Sequence, residues 1–302
     1  ENSNVIGAMA MIGEFLDYLR FEKNRSELTV SSYAEDLKAF EAYFKNLDML
    51  LSWETADADV IRGWMESMMD KGNRATSVNR RLSALRSFFR YALAHQKVAR
   101  DPSRMIKGPK KAKPLPQFLK EEEMNRLLDV VEWGDDFESV RARTMLMTFY
   151  ETGIRLSELT GLDDTAIDWA NHAVKVLGKR NKQRIIPLGE ELEHTLLIYI
   201  RVRDEQVKAG NGALFVTRKG ERMSGDQVRN EVKRCLSLVS TLSKRSPHVL
   251  RHTFATAMLN HEAGLESVKK LLGHESLSTT EIYTHTTFEQ LKRVYQEAHP
   301  RA

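Results

Sequence analysis

At 302 residues, 41% hydrophobic and 29% charged, the chain is long enough for two domains that each bury a core, and its composition excludes wholesale disorder. The single cysteine, Cys235, excludes an internal disulfide, and no CxxC spacing marks a metal site. Unbroken apolar runs are no longer than Leu196–Ile200, far too short to span a membrane, and the apolar N-terminus carries Glu14 with no basic residue ahead of it, unlike a signal peptide. A reducing cytoplasm is the expected setting, with no membrane partner.

The net charge of +4 is unevenly spread. Residues 1–73 hold 7 Lys and Arg against 14 Asp and Glu, whereas residues 74–113 hold 12 against a lone acid, Asp101. The remainder is balanced, with 27 of each sign. A basic band this dense in a balanced chain points to a polyanion, most simply nucleic acid, rather than to a merely solvated surface beside a linker.

The first hundred residues read as four helices. Ile12, Phe15, Leu16 and Leu19 share one face at the 3.6-residue period. Tyr33, Leu37, Phe40 and Phe44 make a second, with Thr29 or Ser31 placed to cap it. Val60, Ile61, Trp64, Met65 and Met68 make a third, ended by Gly72. On the fourth, Val78, Leu82, Leu85, Phe89 and Leu93 form the side expected to be buried. Its opposite side collects Asn79, Arg80, Ser83, Ser87 and Arg90, with no acid between Arg74 and Arg100. Arginine and asparagine reach base edges and serine lets a helix backbone approach closely, so this face suits a DNA major groove.

Residues 101–117 hold Pro102, Pro109, Pro114 and Pro116, with Lys110, Lys111 and Lys113 closely spaced. That composition predicts an extended strap whose lysines contact phosphates without reading sequence. The division expected is 1–107, 108–117 for the strap, and 118–302.

Beyond the strap, helices are expected at 121–131 and 139–151, with Gly153 as a stop and Arg155 opening a short helix. The runs 173–177 and 184–188 read as strands around a tip carrying Lys179, Arg180 and Lys182, and Ala213–Val216 as a third strand. Helices follow at 190–208, 225–240, 248–261 and 265–272, and Cys235 falls in step with Val228, Val232, Leu236 and Val239 as a buried thiol. The fold class is therefore mainly α in two domains, the second a mixed α/β unit with a small antiparallel sheet. A final helix carries the stripe Phe288, Leu291, Tyr295 and Ala298.

Within Ser246–His285 lie His248 and Arg251 one turn apart, then His274 in LLGH, then Tyr283. Positive charge, proton shuttles and a nucleophile are what phosphoryl transfer needs. Each residue also has a plainer reading. Tyr283 alone would be a packed aromatic, Arg155 and Glu158 an ordinary i,i+3 ion pair, and LLGH a helix end. His248 and His252, four apart, lack a third zinc ligand, which makes His252 a core histidine.

Five segments in order, YETGIRLSEL, LGKRNKQRIIPL, PHVLRHTFAT, LLGH and EIYTH, resemble the tyrosine recombinase (phage integrase) family, with spacing closest to its Xer-like members. The resemblance spans nearly the whole chain and implies a helical (SAM-like) core-binding domain, a basic linker and a catalytic domain. It implies Arg155, Lys179, His248, Arg251 and His274 as catalytic residues, Tyr283 as nucleophile, and Glu158 as a supporting acid. Arg180 stands where the family usually has glycine, and Lys179 rather than Lys182 matches by its spacing to Arg155.

The chemistry fits those roles. Tyrosine, with a pKa near 10, is about 0.1% ionised at pH 7, so freeing the phenolate costs about 4 kcal/mol without help. Neutral His248 can accept that proton, Arg155 and Arg251 can hold the non-bridging oxygens, His274 can donate to them, and Lys179 can protonate the leaving 5′-oxygen. With no Walker loop and no metal-ligand set, no cofactor, metal or ATP is expected. The implied activity is site-specific recombination of double-stranded DNA through a 3′-phosphotyrosine and a Holliday junction. Inverted half-sites, a tetramer linked in trans through the C-terminal helix, a related recombinase or accessory protein as partner, and a nucleoid location follow from the resemblance. A topoisomerase-like nicking–closing enzyme is the nearest alternative. A non-catalytic regulator, with SLSTTEIY as the reading helix of a helix-turn-helix, is a more distant one.

Overall fold

The computed structural model describes residues 2–111, 117–178, 183–207, 210, 212–273 and 285–302. The chain divides into two units, Glu1–Pro114 and Leu115–Ala302.

In the first unit, α1 (Asn2–Asp17) runs into a π-helical turn at Tyr18–Glu22, followed by α2 (Glu27–Leu47), α3 (Ala58–Asp70) and α4 (Ala75–Ala94). The cap of α2 is Ser26, not Thr29 or Ser31. Ser26 has the extended backbone a cap requires, and its hydroxyl accepts from the Thr29 N–H, while the two later residues already lie inside the helix. Asp57 caps α3 by accepting from the N–H groups of Asp59 and Val60. Phe40, Phe44, Trp53, Trp64, Phe88 and Phe89 form the aromatic centre of this core, Trp53 lying 4.4 Å from Phe88 between ring centroids.

The buried side of α4 differs from the expected one at its end. Leu93 is 41% exposed, whereas Phe88, Tyr91 and Ala92 are buried. Phe88 meets Phe15 edge-on at 5.5 Å and Tyr91 lies 4.8 Å from Tyr18, so packing on α1 and its π turn rotates the buried arc away from Leu93. Asp36 is buried on α2 and takes both forks of Arg80.

The second unit is built on α6 (Phe137–Thr152), buried along most of its length and packed against α8 (Glu190–Gln206), α9 (Gly225–Leu236) and α10 (Pro247–Asn260). Before it, α5 (Glu121–Asn125) passes into a second π turn. After it come α7 (Leu156–Thr160) and the strands β1 (Ile167–Asp168), β2 (Ala173–Leu177) and β3 (Gln183–Pro187), antiparallel in the order β1-β2-β3, with Val174 opposite Ile186. Helices α11 (Leu265–Leu272) and α12 (His285–Ala298) complete the unit. Cys235 is buried among the core residues, and burial pushes its thiol up to about 11, consistent with an inert structural role.

Ala213–Val216 is not the third strand; β1 is. The 213–216 segment makes isolated bridges only, Asp163 with Ala213 and Val216 with Arg222. Its buried carbonyls are instead taken by side chains. Arg203 donates to those of Ala213 and Leu214, the Tyr199 hydroxyl to Leu214, and Arg141 to Val216. Such partners satisfy the backbone without a ladder.

Of the C-terminal stripe, Leu291, Tyr295 and Ala298 are buried in their own unit in the single chain. The Tyr295 hydroxyl donates to the buried Glu151 carboxyl at 3.3 Å, His299 stacks on Tyr295, and Arg301 pairs with Glu191 and Asp129. No helix among the described residues is long and apolar enough to cross a membrane.

Candidate active site

Two helix C-termini define the site. α6 ends at Gly153 and α11 at Gly273, both left-handed, with φ of 58° and 64°. A Cβ on Gly153 would stand 2.5 Å from Phe254 and 2.9 Å from Leu272, so glycine is what lets these elements close on one another. Helix ends present unpaired carbonyls, and here those carbonyls receive arginines.

Three arginines from three elements take three consecutive carbonyls. Arg184 Nε on β3 donates to Leu271 O at 2.9 Å. Arg251 Nη2 on α10 donates to Leu272 O at 2.6 Å, and its Nη1 reaches Gly153 O. Arg155 Nη2, from the residue that caps α7, donates to Gly273 O at 2.9 Å. Glu158 sits behind them, 3% exposed. Its Oε1 accepts from Arg155 Nη1 and Arg184 Nη1 at 2.9 and 2.6 Å, and its Oε2 from the Arg155 backbone N–H and Arg184 Nη2 at 2.7 and 2.8 Å. Burial alone would raise this carboxyl, but the hydrogen bonds and charge of Arg184 and Arg155 outweigh it and bring it down to about 2.

Among the described residues three guanidiniums meet one carboxylate, a surplus of positive charge in a largely buried setting. Burial first, then the charges of Arg155 and Arg184, lower Arg251 to about 10, still protonated at pH 7. A carbonyl orients a guanidinium without neutralising it, so these contacts fix the charge in place before an anion arrives.

His248 lies on the first turn of α10, three residues before Arg251, with surface access. Its imidazole is lowered from 6.5 by burial, then by His252, Arg251 and Arg155. A depressed pKa keeps the ring neutral to lower pH, as a general base requires. Cleavage should therefore hold as pH falls to 6.5 and decline only below it, measured as a single-turnover pH–rate profile. His248→Gln should remove that acid limb.

Of the residues singled out in the sequence, the structure brings together Arg155, Glu158, His248 and Arg251. Lys179, Arg180 and Lys182 at the hairpin tip, Lys113 in the strap, and His274 and Tyr283 lie outside the described residues. His252 is exposed, not a core histidine: it faces away from the buried side of α10 that holds Val249, Thr253 and Phe254. On α4, Asn79 donates to Ala75 O and Pro109 O, Arg80 is paired with Asp36 and Ser32, and Ser83 bonds to Asn79 O. Ser87 is half-buried, while Arg90, Lys110 and Lys111 are exposed. Among the described residues no group of His, Cys, Asp and Glu is placed to hold a metal ion.

Arg184 is the site residue that pattern reading missed. Its signal was present: it shares a face of β3 with Ile186, and a charged residue on the buried face of a strand needs a partner.

The family model described as "Phage integrase family" matches residues 117–290, and "Phage integrase, N-terminal SAM-like domain" matches residues 12–96. The chain is 40% identical over 290 residues to tyrosine recombinase XerC of Staphylococcus saprophyticus, covering 95% of this chain and 96% of that one. It is 37% identical over 294 residues to tyrosine recombinase XerD of Oceanobacillus iheyensis, covering 96% and 98%. Among solved structures, the XerH site-specific recombinase bound to difH substrate matches with a TM-score of 0.68 at 24% identity, over 93% of this chain and 83% of that one. The Tn1549 transposon integrase in complex with circular intermediate DNA matches at 0.70 and 18%, over 93% and 98%. These last two likenesses concern the fold. Matched by both family models and by relatives of nearly equal length, the chain belongs to the phage integrase family of tyrosine recombinases.

Proposed function

We propose that the protein is a site-specific DNA recombinase that cleaves and rejoins strands through a 3′-phosphotyrosine, working on double-stranded DNA with inverted half-sites as a tetramer. The observation that carries this reading is the surplus of guanidinium charge held by helix-end carbonyls beside a neutral histidine. A phosphodiester passing through a pentavalent state gains negative charge where such donors converge.

In this mechanism His248 takes the phenolic proton of Tyr283, and the phenolate attacks phosphorus. Arg155 and Arg251 hold the non-bridging oxygens, with His274 as a further donor, and the 5′-oxygen leaves with a proton from Lys179. The new phosphotyrosine ester conserves the energy of the broken bond, so rejoining through a Holliday junction needs no nucleotide. Residues 1–107 would grip DNA together with the strap, Arg80, Ser83, Arg90, Lys110 and Lys111 being exposed members of the proposed contact set, and residues 118–302 would carry out the chemistry. Because Leu291 and Tyr295 pack within their own unit in the single chain, a tetramer using the C-terminal helix would have to release them first.

The test begins by selecting bound fragments from genomic DNA and building a nicked suicide duplex from the recovered site. The expected result is a detergent-stable protein–DNA adduct formed in EDTA without nucleotide, and strand exchange between two labelled duplexes. Supercoil relaxation without exchange would favour a nicking–closing enzyme, and binding without an adduct would favour a regulator.

A further inference from the structure

We propose that Arg184 is a positioning residue for strand cleavage: it holds Glu158 so that Arg155 is aimed at the phosphate with its charge intact. The inference rests on the recombinase reading above. Arg184 itself is 5% exposed, with Nη1 and Nη2 on the two oxygens of Glu158 and Nε on Leu271 O, so it does not present itself to a substrate. Arg155, by contrast, keeps 34% of its side chain exposed.

Two consequences follow from this arrangement. The first is geometric. Arg155 is gripped at its backbone N–H and at Nη1 by the two oxygens of one carboxylate, and that carboxylate is gripped in turn by the fork of Arg184. A planar, bidentate fork removes rotational freedom that an ammonium would leave. Gly273 lets β3 press close: a Cβ there would stand 3.1 Å from Arg184 Cδ, so the same arginine also registers the hairpin against the end of α11.

The second consequence is electrostatic. Glu158 alone beside Arg155 would make a neutral pair and cancel the charge that the phosphate needs. Sharing the carboxylate with Arg184 restores the surplus, while the Arg184 fork keeps Glu158 ionised.

The test compares single-turnover cleavage of the nicked suicide duplex by the full chain and its Arg184→Lys variant, which keeps the charge and loses the fork. DNA affinity should be unchanged, while cleavage slows by about 100-fold, the scale of a small misplacement of a catalytic group. Arg184→Lys added to Arg155→Lys should cost nothing further, because Arg184 acts through Arg155; added to His248→Gln, it should multiply the loss. A merely structural role would slow both backgrounds by one common factor, and that result, or wild-type cleavage by Arg184→Lys, overturns the proposal. Should Arg184→Lys not fold, the paired replacement Arg184→Met with Glu158→Leu removes the buried charges together, a change proteins often tolerate. It should show the same silence on Arg155→Lys, and cleavage at the wild-type rate would overturn the proposal. Absence of any adduct from the wild-type chain would refute the recombinase reading itself, a result distinct from either.

Discussion

Tyr283→Phe is expected to bind the selected DNA with wild-type affinity and to form no covalent adduct. Four tyrosines lie in the unit Leu115–Ala302, namely Tyr150, Tyr199, Tyr283 and Tyr295. Burial is the leading cause that pushes Tyr150 and Tyr295 well above the ordinary value, and Tyr199 up to about 12. All three rings are fully enclosed in the core. A nucleophile must ionise transiently, and raising the cost of ionisation beyond the about 4 kcal/mol of a free phenol works against it. Tyr283 is the remaining candidate. The chain reaches it ten residues after Gly273, whose carbonyl is held by Arg155. Removing one oxygen deletes the attacking atom and keeps the rest of the ring. The measurement is a denaturing gel of the labelled suicide duplex. An undiminished adduct with the variant would assign the nucleophile elsewhere.

The helices of both units were legible because their apolar residues repeat at 3.6, and that period survives any tertiary arrangement. Gly153 was legible as a stop, and the runs 173–177 and 184–188 as an antiparallel pair of strands. What escaped depends on contacts between distant segments. Leu93 and Phe88 exchanged roles because aromatic packing on α1 turned the buried arc of α4. Ala213–Val216 has a strand-like composition, but its carbonyls are claimed by Arg203, Tyr199 and Arg141, whose approach no local pattern announces. Arg80 is exposed on its side of the helix, and its pairing with Asp36, 44 residues earlier, is likewise a contact that no local pattern announces. At the site, Arg155, His248 and Arg251 were legible as residue types at recognisable spacing. The carbonyls of Leu271, Leu272 and Gly273 that hold the arginines were not, because a backbone acceptor carries no sequence signature.

Those carbonyls shape the second large expectation. Arg251→Gln should slow cleavage by about 10²–10³-fold, the loss seen when one donor to a developing charge is removed. Arg251 is placed where the ends of α6 and α11 meet, with Nη1 on Gly153 O and Nη2 on Leu272 O, so its guanidinium is aligned before any substrate arrives. Preorganised charge of this kind needs no reorientation as negative charge builds on phosphorus, which is why the expected loss is kinetic and large. Stability should respond far less. Deleting the guanidinium gives up charged hydrogen bonds worth about 1.5–3 kcal/mol each, but it also relieves repulsion from Arg155 and Arg184, the same repulsion that lowers Arg251. The two effects oppose one another in the folded protein, whereas nothing offsets the missing charge in the transition state. Denaturant unfolding and single-turnover cleavage measured on the same variant separate them. A variant that loses stability and rate in proportion would mean that Arg251 serves the fold; a nearly unchanged unfolding midpoint with cleavage reduced a hundredfold or more would mean that two helix ends were brought together to hold one positive charge for the phosphate.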